Sequence, residues 1–140
     1  TNLYYYDSIR SIKYIKKGDK MDIKLFDSEL AVMNVIWEHG DITAKEISDI
    51  LKESIGWNIN TTYTVIKKCI AKGAVERREP KFICHALITR EEVQKASVDE
   101  LSKKMFGGSS ELMFASLLAN RSFSKKEIDN LKKMIQEYED

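Results

Sequence analysis

The sequence predicts a mostly α-helical fold with a small β-hairpin wing: a winged helix-turn-helix followed by a helical dimerisation region. Three observations predict it. Residues 58–73 form an amphipathic helical pattern whose outward side is polar and basic. Two short capped helical segments precede that pattern, and a β-prone hairpin follows it. Beyond Thr89 the chain is helical in character without strands. The predicted organisation is an N-terminal appendage (1–20), a winged-helix domain (21–89) and a helical dimerisation domain (90–140).

Residues 1–20 are predicted to lie outside the fold. They have neither the basic start nor the apolar stretch of a signal peptide, and the first plausible initiator is Met21. We therefore interpret the segment as cloning-derived or as an upstream extension, with a genuine basic arm as the alternative.

The first helix of the fold is predicted to begin at an Asp27 N-cap and to end at Gly40. Phe26 is placed to form a hydrophobic staple with Ala31. The apolar residues recur at helical spacing, which predicts that one side of this helix is buried. They are Leu30, Met33, Ile36 and Trp37.

A second short helix is predicted to follow, because Thr43 and Glu46 form a complete capping box and Ile42 can staple onto Ile47. A loop over residues 54–57 then leads to the third helix. Two short helices and a turn ahead of an outward-polar third helix are typical of helix-turn-helix order.

The third helix has predicted boundaries at both ends, with Asn58 as N-cap and Gly73 as the left-handed terminator. Its inward side comprises Thr62, Val65, Ile66, Cys69 and Ile70. Its outward side comprises Asn60, Thr64, Lys67 and Ala71, flanked by Thr61, Tyr63 and Lys68. This pattern predicts a DNA-reading helix, with an ordinary solvated helix face as the alternative.

A hairpin is predicted next, because residues 74–78 and 82–88 are β-prone runs separated by Glu79-Pro80-Lys81. The net charge of +1 does not indicate a nucleic-acid binder, but residues 67–81 carry six Lys or Arg against two Glu. A basic hairpin beside a reading helix predicts a wing that reaches DNA phosphates, with a charged edge ribbon as the alternative.

The candidate DNA contacts divide by their chemistry. Polar side chains near the start of the third helix are predicted to read base edges, and basic ones to contact the backbone. The base-reading candidates are Asn60, Thr61, Tyr63 and Thr64, and the backbone candidates are Lys67, Lys68, Arg77, Arg78 and Lys81. Thr43 is a further candidate for DNA contact.

Three further helices are predicted after Thr89, over residues 91–105, 110–118 and 124–138, with a break at Gly107-Gly108. The last begins with a Ser124/Glu127 capping box. Short amphipathic helices without a β partner bury their apolar sides poorly alone, so we infer a homodimer; folding back on the winged helix is the alternative. The predicted dimer contacts are Leu101, Met105, Leu112, Leu117, Ile128, Leu131 and Ile135.

Several other classes of protein are disfavoured. Two cysteines are too few for a disulfide framework, and no apolar run reaches transmembrane length, so we expect a reduced cytoplasmic protein that has no membrane contact. Cys84 and His85 are adjacent on a predicted strand and point to opposite faces, so we expect no metal. No catalytic signature or phosphate-binding glycine loop is present in the sequence, and we predict neither enzyme activity nor a cofactor.

Over residues 23–138 the chain resembles the penicillinase and methicillin-resistance repressor family (BlaI/MecI type). The resemblance rests on a set of motifs that is specific only when taken together. They are Glu29-x-x-Val32-Met33-x-x-Ile36-Trp37, Trp57 ahead of Asn60-Thr61-Thr62-Tyr63-Thr64-Val65-Ile66-Lys67-Lys68, Lys72-Gly73, and Gly107-Gly108.

The resemblance implies a transcriptional repressor that binds an inverted-repeat DNA operator as a homodimer and controls β-lactam-resistance genes. It also implies removal by a protease linked to a membrane β-lactam sensor. Two positions depart from the family pattern: Tyr63 stands where several relatives carry Arg, and Asp99-Glu100 aligns with the family's cleaved Asn-Phe bond. The alternatives are a same-family regulator of an unrelated operon, and a winged helix used for protein contact.

Overall fold

The computed structural model describes residues 23–140 as six α-helices and one three-stranded antiparallel sheet, which confirms the predicted fold class. The predicted appendage at residues 1–20 lies outside the described residues, as does Met21. The elements in chain order are α1 (Asp27–His39), β1 (Ile42–Thr43), α2 (Ala44–Ile55), α3 (Ile59–Ala71), β2 (Val75–Arg78), β3 (Ile83–Ala86), α4 (Arg90–Phe106), α5 (Ser110–Asn120) and α6 (Lys125–Glu139).

The start of α1 differs from the prediction. Asp27 is the first helical residue rather than the N-cap, and Phe26 occupies the N-cap position. Phe26 has no side-chain acceptor, so the helix start depends on Glu29, whose Oε1 accepts a hydrogen bond from the Phe26 N–H at 2.8 Å. Phe26 is therefore not at the position before the N-cap from which a hydrophobic staple forms, and it is 61% exposed.

The caps of α2 and α3 are confirmed. The Thr43 hydroxyl accepts from the Glu46 N–H, and Glu46 Oε2 accepts from the Thr43 N–H, both at 3.1 Å. The Asn58 side chain accepts from the Thr61 N–H at 2.8 Å, and Gly73 takes a left-handed φ of 79° just beyond α3. Local sequence therefore determines where both helices begin.

The sheet contains a strand that the sequence did not predict. The hairpin β2–β3 forms as expected, but the two-residue β1 pairs with β3, giving the order β1-β3-β2. The pairing continues beyond the strand, since the Ala44 N–H at the start of α2 donates to the Phe82 carbonyl at 3.0 Å. The turn of the hairpin is thereby joined to the start of α2.

One hydrophobic core joins α1, α2, α3 and the sheet. Its members are Val32, Met33, Val35, Ile36, Ile42, Ala44, Ile47, Leu51, Val65, Ile66, Cys69, Ala74, Val75, Cys84, Ile88 and Val93. Trp37 closes one side, donating its Nε1–H to the Ile88 carbonyl at 3.0 Å. The motif residues Val32, Met33, Ile36 and Trp37 therefore act in the core.

The chain divides into two compact units, the first ending at Ala96 and the second formed by Ser97–Asp140. The first unit extends seven residues past the predicted boundary at Thr89, because Val93 belongs to its core. The helices of the second unit follow the prediction to within two residues, and Ser124 and Glu127 form the predicted capping box.

The second unit lacks a core of its own. None of its hydrophobic side chains is buried, and the exposed ones lie on all three of its helical segments. No described helix combines the length and the apolar content that a transmembrane span needs.

Candidate nucleic-acid interface

Helix α3 is held by its apolar side and offers its polar side to solvent, as predicted. Thr62, Val65, Ile66 and Cys69 are buried. The opposite side exposes Asn60, Thr61, Thr64, Lys67 and Lys68. An exposed helix face with amide, hydroxyl and ammonium groups has the chemistry to contact base edges and phosphates in a major groove.

The three exposed polar residues near the start of α3 differ in their hydrogen bonding. The Thr64 hydroxyl donates to the Asn60 carbonyl at 2.8 Å, so its proton is engaged and its oxygen remains an acceptor. Among the described residues, no hydrogen-bond partner is found for the Asn60 amide or the Thr61 hydroxyl. Asn60 is therefore available as a donor and acceptor, as a bidentate contact to adenine requires.

Tyr63 differs from the other base-reading candidates because it is half-buried. Its ring packs edge-on against the Phe82 ring, with centroids 5.8 Å apart and an interplanar angle of 84°. The contact joins the recognition helix to the wing, so the body of this side chain faces the protein. The sequence did not predict it, since nothing local relates position 63 to position 82.

Arg77 lies on the wing close to α3. Its guanidinium stacks over the Phe82 ring at 3.7 Å from the centroid, and its Nε donates to Glu79 Oε1 at 2.6 Å. The hydrogen bond from Arg77 and that from the Phe82 N–H hold the pKa of Glu79 below its usual value. Because Glu79 occupies only the Nε edge, the terminal Nη groups can still bind phosphate.

Arg78 lies on the opposite face of β2, as strand alternation requires. Its Nη2 is 3.1 Å from Glu76 Oε2, and its Nη1 is 3.4 Å from Asp41 Oδ2. Asp41 Oδ1 is also 2.7 Å from the His85 Nδ1. Carboxylates thus engage the Arg78 guanidinium at both ends, which leaves it less available to phosphate than Arg77 is.

The two remaining candidates for DNA contact, one at the tip of the wing and one at the start of α2, also differ. Lys81 is exposed at the tip of the wing, with a left-handed φ of 69°. Thr43 is half-buried and uses its hydroxyl to cap α2. A phosphate contact from Lys81 therefore needs no rearrangement of an internal hydrogen bond, whereas one from Thr43 must share the capping oxygen.

A partly buried ion pair holds the C-terminal end of α3, with the glutamate buried and the lysine partly exposed. The Lys72 ammonium lies 2.7 Å from Glu29 Oε1 and 2.7 Å from the Lys24 carbonyl oxygen, over the Phe26 ring at 4.3 Å. Lys72 counted toward the basic cluster in the sequence, but its charge is directed into the protein. We call this pair the Glu29–Lys72 latch.

Glu29 is 1% exposed, and its Oε2 has no hydrogen-bond partner. Burial raises the pKa of Glu29, but the hydrogen bonds from Lys72 and the Phe26 N–H and the charges of Lys72 and Lys68 outweigh it, so the net pKa is lowered. Sequence reasoning missed this residue. Its signal was an acidic residue at helical spacing from Val32 and Ile36, on the apolar side of α1.

In the second unit, the predicted dimer contacts are mostly exposed. The exposed ones are Leu101 (46%), Met105 (65%), Leu112 (57%), Leu117 (46%) and Ile135 (56%), and Ile128 and Leu131 are half-buried. Asp99 and Glu100, the candidate cleavage residues, are exposed and lie inside helix α4. A protease that acts on that bond must first unwind part of the helix.

The two adjacent residues considered as metal ligands in the sequence are separated by the strand. Cys84 is buried whereas His85 is directed to Asp41, which confirms that they lie on opposite faces of β3. Residues 23–140 contain no cluster of three or more His, Cys, Asp or Glu placed to bind a metal ion. An open cleft of about 470 Å³ is lined by His39, Asp41, Ile42, Glu46, Asp49 and Ile50. Its three carboxylates disfavour a phosphate-bearing ligand.

The chain is similar to known proteins over most of the residues that the structure describes. A model of the penicillinase repressor family matches residues 25–137. The penicillinase repressor of Bacillus licheniformis is 26% identical over 117 residues, covering 82% of this chain and 91% of the relative. The methicillin resistance regulatory protein MecI of Staphylococcus aureus (strain N315) is 20% identical over 119 residues, covering 84% and 97%. The solution structure of the DNA binding domain of the repressor BlaI is 29% identical and covers 52% of this chain and 92% of that domain, with a TM-score of 0.48.

Proposed function

The chain belongs to the penicillinase repressor family, and from that premise we propose that it represses transcription by binding an inverted-repeat operator in duplex DNA as a homodimer. The observation that carries the proposal is the exposed polar face of α3 with the Arg77 guanidinium on the adjacent wing. A reading helix in the major groove with a cation alongside is the arrangement that sequence-specific DNA binding needs.

Base reading is assigned to three residues of α3. Asn60 can make a bidentate contact with adenine, because its amide is exposed and no described residue bonds it. Thr64 offers an acceptor oxygen and a methyl group, which suits an exocyclic amine or a thymine methyl. Thr61 can serve as donor or acceptor. Tyr63 contributes mainly by supporting the wing.

Phosphate contacts are assigned to Lys67, Lys68, Lys81 and Arg77, whose charged groups are exposed. Arg78 is a weaker candidate, because a phosphate would have to compete with Glu76 and Asp41 for its guanidinium. Such contacts position the protein without reading the sequence, and they make binding depend on salt.

Homodimerisation is assigned to the second unit. Its helices leave several large hydrophobic side chains about half exposed or more, and it has no buried hydrophobic residue of its own. We propose that a second copy of this chain covers these side chains, because family membership and the two-fold symmetry of an inverted repeat both favour a homodimer. When two DNA-binding domains are joined in a dimer, the second domain binds its half-site as an intramolecular step, which strengthens binding by roughly 10² or more.

Regulation by proteolysis follows from this linkage. Cutting the chain between Thr89 and Met105 would separate the two DNA-binding domains of the dimer without changing α3 or the wing. We propose that a sensor-linked protease acts in this segment in a cytoplasmic repressor of β-lactam-resistance genes. The Asp99-Glu100 pair is polar and lies within α4. We therefore infer either that the helix unwinds before this bond is cut or that the protease cuts another bond.

The alternative is a same-family regulator of an unrelated operon. The observation that favours it is Tyr63, a residue of α3 that packs its ring on the wing, whereas the family resemblance implies a basic residue at this position in several relatives. A change of side chain within the reading helix alters the contacts available to bases, so operator identity need not follow family membership.

The decisive experiment titrates the full chain against two duplexes, one carrying the operator selected from random DNA and one scrambled, at two salt concentrations. We expect tighter binding to the selected duplex and a log–log salt slope of about −0.9 per phosphate contact. A chain that binds neither duplex would refute DNA binding and favour a winged helix used for protein contact. An operator unrelated to β-lactam-resistance genes would favour the same-family alternative.

The dimer is tested by Met105→Asp in the full chain, with Gln136→Asp as the control at an exposed polar position. A charge at the apolar face should produce monomers in sedimentation and weaken operator binding by roughly 10². A variant that remains dimeric with unchanged affinity would exclude Met105 from the interface.

A further inference from the structure

We propose that Phe82 is a positioning residue for DNA binding, and that its ring holds the Arg77 guanidinium beside the recognition helix. The inference rests on the proposed function and deepens it, because it identifies what determines the position of the wing. The observations that carry it are the backbone conformation at the wing tip and the contacts of the Phe82 ring with Tyr63 and Arg77.

The backbone at the wing tip is held in an uncommon conformation. Lys81 and Phe82 both have positive φ, at 69° and 52°, a region that side chains other than glycine rarely occupy. Residues in such conformations persist where their surroundings over-determine them, and they cluster at functional sites. The wing thus adopts a strained turn at the residue that meets the recognition helix.

Two hydrogen bonds hold the backbone of Phe82. Its carbonyl accepts from the Ala44 N–H, the first residue of α2, at 3.0 Å. Its N–H donates to Glu79 Oε2 at 3.4 Å, while the other oxygen of the same carboxylate accepts from Arg77. Glu79 therefore spans the turn, connecting the Phe82 backbone to the guanidinium stacked on the Phe82 ring.

The Phe82 ring lies between two side chains that the proposed function uses. Tyr63 of α3 meets it edge-on at 5.8 Å between centroids, and the Arg77 guanidinium lies over it at 3.7 Å from its centroid. Edge-to-face and cation–π contacts both have preferred directions, so the ring fixes orientation as well as distance. We call this arrangement the Tyr63–Phe82–Arg77 stack.

The stack couples the recognition helix to a phosphate contact. The Arg77 side chain is flexible, and the conformation that contacts phosphate would otherwise be one of many. Holding it in that conformation before DNA binds lowers the conformational entropy lost on binding. An aromatic ring at position 63 is required by this mechanism, whereas the Tyr63 hydroxyl is not. The residue that replaces a basic side chain of several relatives thus acts through the wing.

The test measures the salt dependence of binding to a scrambled duplex for the full chain and four variants. They are Arg77→Gln, Phe82→Leu, the double variant of these two, and Tyr63→Phe. Leucine keeps an apolar side chain of similar bulk but has no π face, and the urea midpoint of unfolding is measured in parallel to select folded protein. A side chain that only stabilises the fold would change the midpoint without changing the salt slope.

We expect Arg77→Gln to flatten the slope by about 0.9, equivalent to roughly threefold in affinity between 50 and 200 mM salt. Phe82→Leu should flatten it by a similar amount although Arg77 is still present, and the double variant should flatten it no further. Tyr63→Phe should leave the slope unchanged. Beside these four variants, the control set is Lys67→Gln alone and Lys67→Gln combined with Phe82→Leu. Their effects on the slope should add, because Lys67 is an exposed phosphate candidate outside the stack.

Each other result overturns the inference. An unchanged slope in Phe82→Leu or Arg77→Gln, or additive effects in their double variant, would show that Phe82 does not position Arg77. A flattened slope in Tyr63→Phe would show that the Tyr63 hydroxyl, and not the ring contact alone, is needed to hold Arg77 in place. If the wild-type chain binds no duplex, the proposed function fails with the inference, whereas salt-dependent wild-type binding with additive losses overturns the inference alone.

Discussion

Breaking the Glu29–Lys72 latch should destabilise the first unit. The loss of stability should be larger when the lysine is replaced than when the glutamate is replaced. The Glu29 side chain is 2% exposed and the Lys72 side chain 30% exposed. Lys72→Met leaves a carboxylate enclosed by the core with one backbone hydrogen bond, whereas Glu29→Gln leaves an ammonium that can turn to water. A buried charge without its partner is the costlier defect.

The magnitude for Lys72→Met is limited by protonation. A carboxyl with an ordinary pKa of 4.5 can be neutralised at pH 7 at a cost of about 3.4 kcal/mol, from 2.5 units at 1.36 kcal/mol each. We therefore expect a loss of about 3 kcal/mol at pH 7. Glu29→Gln removes a charged hydrogen bond and should cost about 1.5 kcal/mol.

The pH dependence should reverse in sign between the two proteins. In the wild-type chain the lowered pKa of Glu29 means that the folded state binds fewer protons than the unfolded state, so its contribution is lost as pH falls below 4.5. In Lys72→Met the folded pKa rises above 4.5, so the folded state gains protons first and stability increases as pH falls from 7 toward 5. The slope cannot exceed about 1.36 kcal/mol per pH unit.

Urea unfolding followed by tryptophan fluorescence reports this unit, because Trp37 and Trp57 both lie in it. Lys67→Met, at an exposed position of the same helix, is the matched control and should stay within about 0.5 kcal/mol of wild type. A Lys72→Met protein equally destabilised at pH 5 and pH 7 would refute the reasoning, since it would show that no buried carboxylate was left unpaired.

Three further predictions concern the interface and the core. Thr64→Ala should weaken operator binding by about 1 to 3 kcal/mol while sparing scrambled DNA; equal losses on both duplexes in a fluorescence titration would show that Thr64 reads no base. Arg78→Gln should flatten the salt slope less than Arg77→Gln does, because Arg78 is already engaged by carboxylates; a larger effect would make Arg78 the principal wing contact. Burial raises the pKa of Cys69 to about 12 and that of Cys84 to about 11, so neither thiol should react with a thiol reagent at pH 8 until urea unfolds the protein. Rapid labelling of the native protein would show that the core opens.

The features that sequence reasoning predicted are those encoded over a few residues. Helix starts at Thr43, Asn58 and Ser124 follow from side chains that bond the backbone three residues on. Amphipathic spacing likewise predicted which side of α3 is buried. The exception was Asp27, because a neighbouring carboxylate, Glu29, provided the N-terminal hydrogen bond instead.

The features that it missed depend on distant residues. β1 has only two residues, which is too short to show an alternating pattern of apolar and polar side chains. It forms because its backbone pairs with the edge of β3. Lys72 and Glu29 are 43 residues apart, and no local pattern determines which acid a lysine meets. The same limit applied to Tyr63, whose exposed-face position in the helical period did not show that the wing would cover its ring.

In the structure, the residues that carry the family resemblance fall into a buried group and an exposed group. Val32, Met33 and Ile36 fill the core, and Lys72 meets Glu29 in the latch, so these motifs determine how α3 is held. They are under the constraint of dense interior packing, in which a single misplaced group costs several kcal/mol. The exposed motif residues of α3 have no such packing constraint, so a substitution there should alter contacts with DNA at little cost in stability.

The charge arrangement explains why the proposed repressor needs two heads. Of the six basic residues in the cluster at residues 67–81, Lys72 is directed inward and Arg78 is held by two carboxylates. About four phosphate contacts then remain for each chain, with a salt slope of about −3.6, and a dimer doubles both. Eight contacts fall within the range at which salt controls binding strongly, whereas four give a head that dissociates readily at physiological ionic strength. Repression would then depend on the chain from α3 through α4 and on the non-covalent contact with the second copy. A protease that cuts the chain removes half of the phosphate contacts from the complex without altering any contact residue.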